Sequence, residues 1–357
     1  MNNKLGKKKK RRLLAEAAPP SPSPSPEQNH SHRGQASLDR AHDTQLYKYV
    51  SSQFINNVFS SPEHVTLKCS LPKDFNDPYE LFLTIDFDEE PDALAFYADA
   101  VGDLDQLPTT CFSRSPDVIP MWAHYAENHK GFVIEFSETS LREAFQDSGF
   151  QDVAYSDTPS EDLTDMLYRA FKIGKYRYIY LLRLGVYNAA YFTKATCWSY
   201  ERERRMVASE NEIRDTSGLL LLDAPICCIC SIIVGSRATD ETKQALLTKS
   251  EELGCRYFEI RIGKSSANPY FVDAHGQPYV FDGSTLMPAA SACETCLEPM
   301  KAETLQAQCS WCRINEQMTH DAASRNSYRM LDRAGLLEGY IQGMDKITFG
   351  RRKADSE

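Results

Sequence analysis

The residues best equipped for chemistry lie between Lys194 and Arg205, in the stretch KATCWSYERERR. Twelve positions hold a Trp, a Tyr, two alternating acids and four basic residues. Tyr200 to Val207 is expected to be a strand, whose side chains alternate faces. Glu201 and Glu203 then share one face with Arg205, while Arg202 and Arg204 take the other with Met206. Two carboxylates about 6–7 Å apart along a strand, beside a guanidinium, can act as acid and base or hold a cation. The same spacing suits a solvated edge strand whose ion pairs contribute under ~1 kcal/mol each. Spacing alone leaves both readings open.

A second set of reactive side chains is Cys293-x2-Cys296-x12-Cys309-x2-Cys312. Paired C-x2-C knuckles supply four thiolates to a tetrahedral zinc ion, so a closed, structural site is expected. A dithiol redox pair is the alternative. The third set is MWAHYAENHKGFVIEF, Met121 to Phe136. Trp122 and Tyr125 are spaced i, i+3, and Tyr125 and His129 i, i+4, a stripe that suits a core more than a binding platform.

These side chains need elements to hold them. Strands are expected over residues 46–50, 64–69, 109–113, 132–136, 219–222, 229–234 and 256–262, with a hairpin over 269–281 turning at Gly276. Helices are expected over 51–59, 91–100, 118–128, 162–171, 178–191 and from Thr239 to Gly254, with a terminal helix near 327–343. Gly131 is the expected left-handed cap of the helix before it. Strands and helices do not alternate as a βα repeat. The fold class is therefore α+β, a mixed and mostly antiparallel sheet with flanking helices, plus a small C-terminal zinc-binding module. The expected divisions are a disordered basic and Pro/Ser tail (1–42), an α+β domain (43–284), and the cysteine module with its terminal helix (285–357).

The chain has 357 residues, 42% hydrophobic and 25% charged, ordinary globular values. No apolar run approaches the ~20 residues of a membrane span, and no apolar segment follows the N-terminal basic run, so neither a membrane nor a secretory route is expected. Cys227, Cys228 and Cys230 lie inside an apolar strand, and a reducing cytoplasm is the expected location. Residues 1–40 carry nine basic residues against three acids, so the remainder holds −16 of a net −10. The body is thus a poor generic nucleic-acid binder. The block Lys7 to Arg12 can contact nucleic acid, anionic lipid or an import receptor, or be a solvated extension.

The segments LYKYV, FNDPYE, CFS, MWAHYAENHKGFVIEF and K-x3-W-x2-E-x-E-x-R, taken together, resemble the bacterial domain-of-unknown-function family 2971 over roughly residues 46–262. That arrangement is similar to ADP-ribosyltransferases, which carry an Arg or His on a first strand, a Ser or Tyr on a later one and a Glu, often in E-x-E, on another. The resemblance implies Tyr47 or Lys48, Ser113, and Glu203 beside Glu201 at these places, although the first strand has neither Arg nor His. It implies NAD as substrate, with Glu203 stabilising positive charge on the ribose, Glu201 serving the acceptor, and Trp122, Tyr125 or Trp198 stacking on a ring. Lys48, Lys194 or Arg205 would meet the pyrophosphate, and Asn76 and Asp77 would complete the ligand site. Such an effector would act in toxicity or antiphage defence on a protein or nucleic-acid target. Two other classes are carried forward: a non-catalytic binding module, and a Mg²⁺ nuclease built from Asp77, Glu80, Glu201 and Glu203.

Overall fold

The computed structural model describes residues 44–79, 81, 84–301 and 306–354. The tail 1–42 with its Lys7 to Arg12 block, and Glu80 of the nuclease reading, lie outside them. Contacts divide the chain into two units, residues 1–289 and 290–357.

The first unit is α+β. Its strands are β1 (Gln45–Val50), β2 (His64–Cys69), β3 (Thr109–Ser113), β4 (Phe132–Ser137), β5 (Gly149–Asp152), β6 (Ala154–Tyr155), β7 (Thr193–Lys194), β8 (Glu203–Val207), β9 (Arg214–Thr216), β10 (Leu219–Pro225), β11 (Ile229–Val234), β12 (Arg256–Arg261), β13 (Tyr270–Asp273), β14 (Pro278–Phe281) and β15 (Leu286–Pro288). Ten form one sheet in the order β15-β14-β13-β12-β11-β4-β1-β3-β8-β5. All its pairings are antiparallel except β11 with β12. That parallel pair is joined by the helix Asp240–Leu253, the crossover a parallel pair requires. Thr239 caps this helix by accepting from the Thr242 amide, Asp240 and Glu241 fill its first turn, and Gly254 ends it at φ +66°.

The sheet is covered on both faces, which explains the near-continuous apolar run FVIEF in β4. On one face Leu46, Phe112, Ile134, Phe136, Met206 and Ile232 share a core. On the other, Tyr47, Tyr49, Val133, Ile233 and Phe258 pack with Trp122. Burying each such side chain contributes roughly 1.5–3 kcal/mol before chain entropy is subtracted. Helices Pro91–Val101, Glu161–Ile173 and Tyr176–Phe192 contribute to a third cluster around Leu167, Leu182 and Val186.

Three sequence expectations are corrected here. The strand expected from Tyr200 begins at Glu203. Residues Thr196–Glu201 wind into a 3₁₀ helix, and Arg202 turns the chain at φ +46°. Moreover β8 is no solvated edge, for it lies between β3 and β5 and is buried throughout. Gly131, expected to cap in the left-handed region, does not adopt it; Glu127, Asn128 and His129 do, at φ +52°, +52° and +70°. Gly131 is required instead by close approach. A Cβ there would sit 2.2 Å from the Val50 carbonyl oxygen, and one on Gly235 would sit 2.1 Å from that of His129.

The second unit is small and thin in core. Its helices Glu316–Arg325 and Ser327–Arg333 bury no residue. No helix among the described residues is long and apolar enough to cross a membrane.

Candidate functional site

Strand β1 pairs with β4 along all six residues but with β3 through one register pair, Tyr47 with Ser113. Beyond that pair the two strands part. Thr109 turns to Ser70 instead, each amide donating to the other's carbonyl at 2.9 Å. A cleft of about 280 Å³ opens there, near the lower end of small-ligand pockets. Tyr47, Lys48, Asn76, Cys111, Ser113, Tyr125, Lys194, Glu201 and Glu203 contribute to its wall.

At its base is a buried charge network. Lys194 Nζ donates to Glu201 Oε2 at 2.7 Å and to Glu203 Oε2 at 3.4 Å. Arg205, with no exposed surface, forks onto Glu203 at 2.9 and 3.2 Å and donates to the Tyr191 carbonyl at 2.7 Å. Burial opposes ionisation of Glu203. The charges of Arg205 and Lys194 outweigh it, with hydrogen bonds from Arg205 and Cys111, and hold its pKa at about 2. Two acids on different backbone conformations thus meet through one ammonium, a convergence the strand reading reached by a wrong route.

The neighbours fix this network. Tyr125 donates its hydroxyl to Glu201 Oε1 at 2.6 Å. Burial, then that bond to Glu201, pushes the Tyr125 hydroxyl up, partly offset by a hydrogen bond with Asn76. Ser113 Oγ donates to the Glu201 carbonyl at 2.7 Å and accepts from the Ser115 amide at 3.1 Å. The Glu203 amide donates to the Tyr155 hydroxyl at 2.8 Å, and burial raises that hydroxyl to about 12. Trp198 lies over Lys194 at 4.7 Å, and Phe75 over Arg205 at 5.2 Å. Lys48 donates to Thr110 Oγ1 at 2.8 Å and to the Cys111 carbonyl at 2.9 Å. Burial lowers its pKa.

Eight of the twelve expected catalytic or ligand residues line this cleft: Tyr47, Lys48, Asn76, Ser113, Tyr125, Lys194, Glu201 and Glu203. Arg205 lies behind Glu203 and Trp198 over Lys194. Trp122 is fully buried, donating to the Pro116 carbonyl at 2.8 Å, so its ring is part of the core. Asp77 accepts from the Tyr79 amide in its own turn. Among the described residues, Asp77, Glu201 and Glu203 of the nuclease reading form no group able to hold a metal ion, and the four cysteines alone do. Cys111 and Phe75 were not singled out beforehand. Cys111 could have been, since it stands two residues before Ser113 on a strand and so shares its face. Phase along the turn-rich segment before Phe75 carries no such signal.

A sequence profile described as "Protein of unknown function (DUF2971)" matches residues 121–206. The matched segment carries Tyr125, Lys194, Glu201, Glu203 and Arg205. Tyr47, Lys48 and Ser113 precede it. No curated protein and no solved structure matches the chain.

In the second unit, the sulfurs of Cys293, Cys296, Cys309 and Cys312 lie within 4.8 Å of one another, and Cys296 Sγ is 3.9 Å from Cys309 Sγ. Four sulfurs each ~2.3 Å from one ion stand about 3.8 Å apart, so the donor set fits a tetrahedral metal. The Cys312 amide donates to Cys309 Sγ at 3.4 Å, and Leu297 closes the other knuckle at φ +62°.

Proposed function

We propose that the cleft binds NAD and that the protein transfers ADP-ribose from it to a protein or nucleic-acid acceptor, with Glu203 at the ribose. The observation that carries this reading is one line of residues: Tyr47 is in register with Ser113, and Ser113 with Glu203, across three adjacent strands beside the cleft. The bond from ribose C1′ to the nicotinamide nitrogen breaks, and its electron pair leaves on nicotinamide. Glu203, ionised at neutral pH, offsets the positive charge left at C1′. The acceptor's lone pair then closes on C1′ and its proton passes to a base, for which Glu201 is placed by Lys194 and Tyr125. Ser113 Oγ acts here as a positioning group. Tyr47 departs from the Arg or His of the resembled arrangement, its hydroxyl donating to Glu135. The second unit holds a structural zinc ion in this reading, and the protein works in the cytoplasm as an effector, of toxin or antiphage type.

One observation favours a second reading, a binding module without turnover: Lys194 and Arg205 already pair with both carboxylates. Labelled NAD separates the two. Release of nicotinamide by the full chain, lost in Glu203→Gln while NAD binding persists, supports transfer. Saturable binding without release supports the module, and absence of binding to the folded protein removes NAD from consideration.

A further inference from the structure

Lys48 is the group in the cleft that the ribose chemistry leaves unused. It belongs to the cleft wall and is half-buried, where β1 has parted from β3. Its amine meets two neutral acceptors, Thr110 Oγ1 and the Cys111 carbonyl, lies 5.7 Å from the centre of the Phe112 ring, and pairs with no carboxylate among the described residues. The titratable groups facing it are the Cys111 and Cys69 thiols, Glu203 and Lys68. Both thiols are pushed up by burial and carry no charge at neutral pH, while the Glu203 carboxylate, which does, is paired with Lys194 and Arg205. Contrast Lys194 on the same wall, tied to two carboxylates.

A buried ammonium with no carboxylate paired to it loses hydration that two neutral acceptors do not fully replace, whereas a neutral amine can still give its two hydrogens to those acceptors and keep its lone pair. We infer that Lys48 is an amine nucleophile, and that the cleft captures a small carbonyl compound, an aldehyde or ketone, as a Schiff base. The Nζ lone pair attacks the carbonyl carbon, and the oxygen takes up a proton. The resulting carbinolamine loses that oxygen as water, with one nitrogen proton released, and a C=N bond remains. No oxidant or second substrate is needed. Desolvation in an apolar or cation-rich pocket activates lysines this way. The inference does not rest on NAD turnover.

The test uses the full chain with glycolaldehyde and cyanoborohydride at pH 6.5, where exposed lysines are protonated, followed by peptide mapping by mass. Lys48 is expected to carry roughly tenfold more reduced adduct than a lysine held in an ion pair, such as Lys249 beside Glu252. The adduct is read in the absence of NAD, so its formation at Lys48 in a wild type that releases no nicotinamide separates this inference from the preceding one. Lys48→Met should remove the adduct from its peptide and leave that at Lys249 unchanged. Equal labelling at Lys48 and Lys249, or no label at Lys48 in the folded wild type, overturns the inference. The wild-type measurement decides even where Lys48→Met does not fold.

Discussion

Glu203 sets what the cleft can do and how it responds to acid. Its carboxylate is depressed from 4.5 to about 2 because Arg205 and Lys194 outweigh burial. A group whose folded pKa lies below its unfolded one stabilises the fold above the unfolded value, and that contribution disappears as pH falls through the folded one. The wild type should therefore lose on the order of 3 kcal/mol between about pH 4.5 and pH 2 from this group. Urea midpoints across that window should fall steeply for the wild type and less so for Glu203→Gln. At neutral pH the same variant should be less stable by roughly 3–5 kcal/mol, because it leaves buried Arg205 and Lys194 facing an amide. An unchanged urea midpoint at neutral pH would mean that Glu203 is not held as the geometry indicates. The sequence made this residue legible by its company of alternating acids and arginines. It could not reveal the partner, since Lys194 reaches Glu203 through folding of the intervening 3₁₀ turn rather than through strand phase.

Among the elements, the strands were readable where alternation or an apolar run was long, as in β1, β4 and β11. Phase failed at residues 196–202, where a 3₁₀ turn and the left-handed Arg202 precede β8. An arginine adopts that conformation at a cost of only about 1–2 kcal/mol, so residue type gives no warning of it. Glycine gave the opposite lesson. Gly131 looked like a helix cap, but its hydrogen stands where β1, β4 and the loop after Ala126 touch. Gly131→Ala and Gly235→Ala should each cost more than ~3 kcal/mol, because backbone atoms at 2.2 and 2.1 Å cannot yield without shifting strands. Gly149→Ala in β5 meets nothing within 4 Å, so it should change stability by no more than about 1 kcal/mol, toward greater stability. Melting temperatures of the three variants test the contrast, and equal losses would contradict the close approach at β1 and β4.

At the scale of the whole molecule, the two units differ in what keeps them folded. Residues 44–289 bury apolar clusters on both faces of a ten-stranded sheet. In residues 290–357, Cys293 is the one hydrophobic residue fully shielded among those described. The cysteine spacing disclosed this unit's metal-binding potential directly, because a tetrahedral ion needs four sulfurs and little else. Its helices expose Met318, Tyr328 and Met330, which periodicity alone does not distinguish from a packed face. A metal bound by the four cysteines would supply most of the cohesion around Cys293 and Cys312. Zinc binds thiolates, so filling the site expels a proton for each cysteine that was a thiol beforehand. Zinc affinity should weaken as pH falls, up to about tenfold per pH unit for each thiol that must ionise. Stripping the protein with a chelator should abolish hydrogen-exchange protection at residues 291–301 and 306–313 while amides of β4 and β11 keep theirs, since those strands are held by apolar burial. Restored zinc, bound at one ion per chain, should recover the lost protection; protection unchanged by chelation would mean the cysteines fold this unit without an ion.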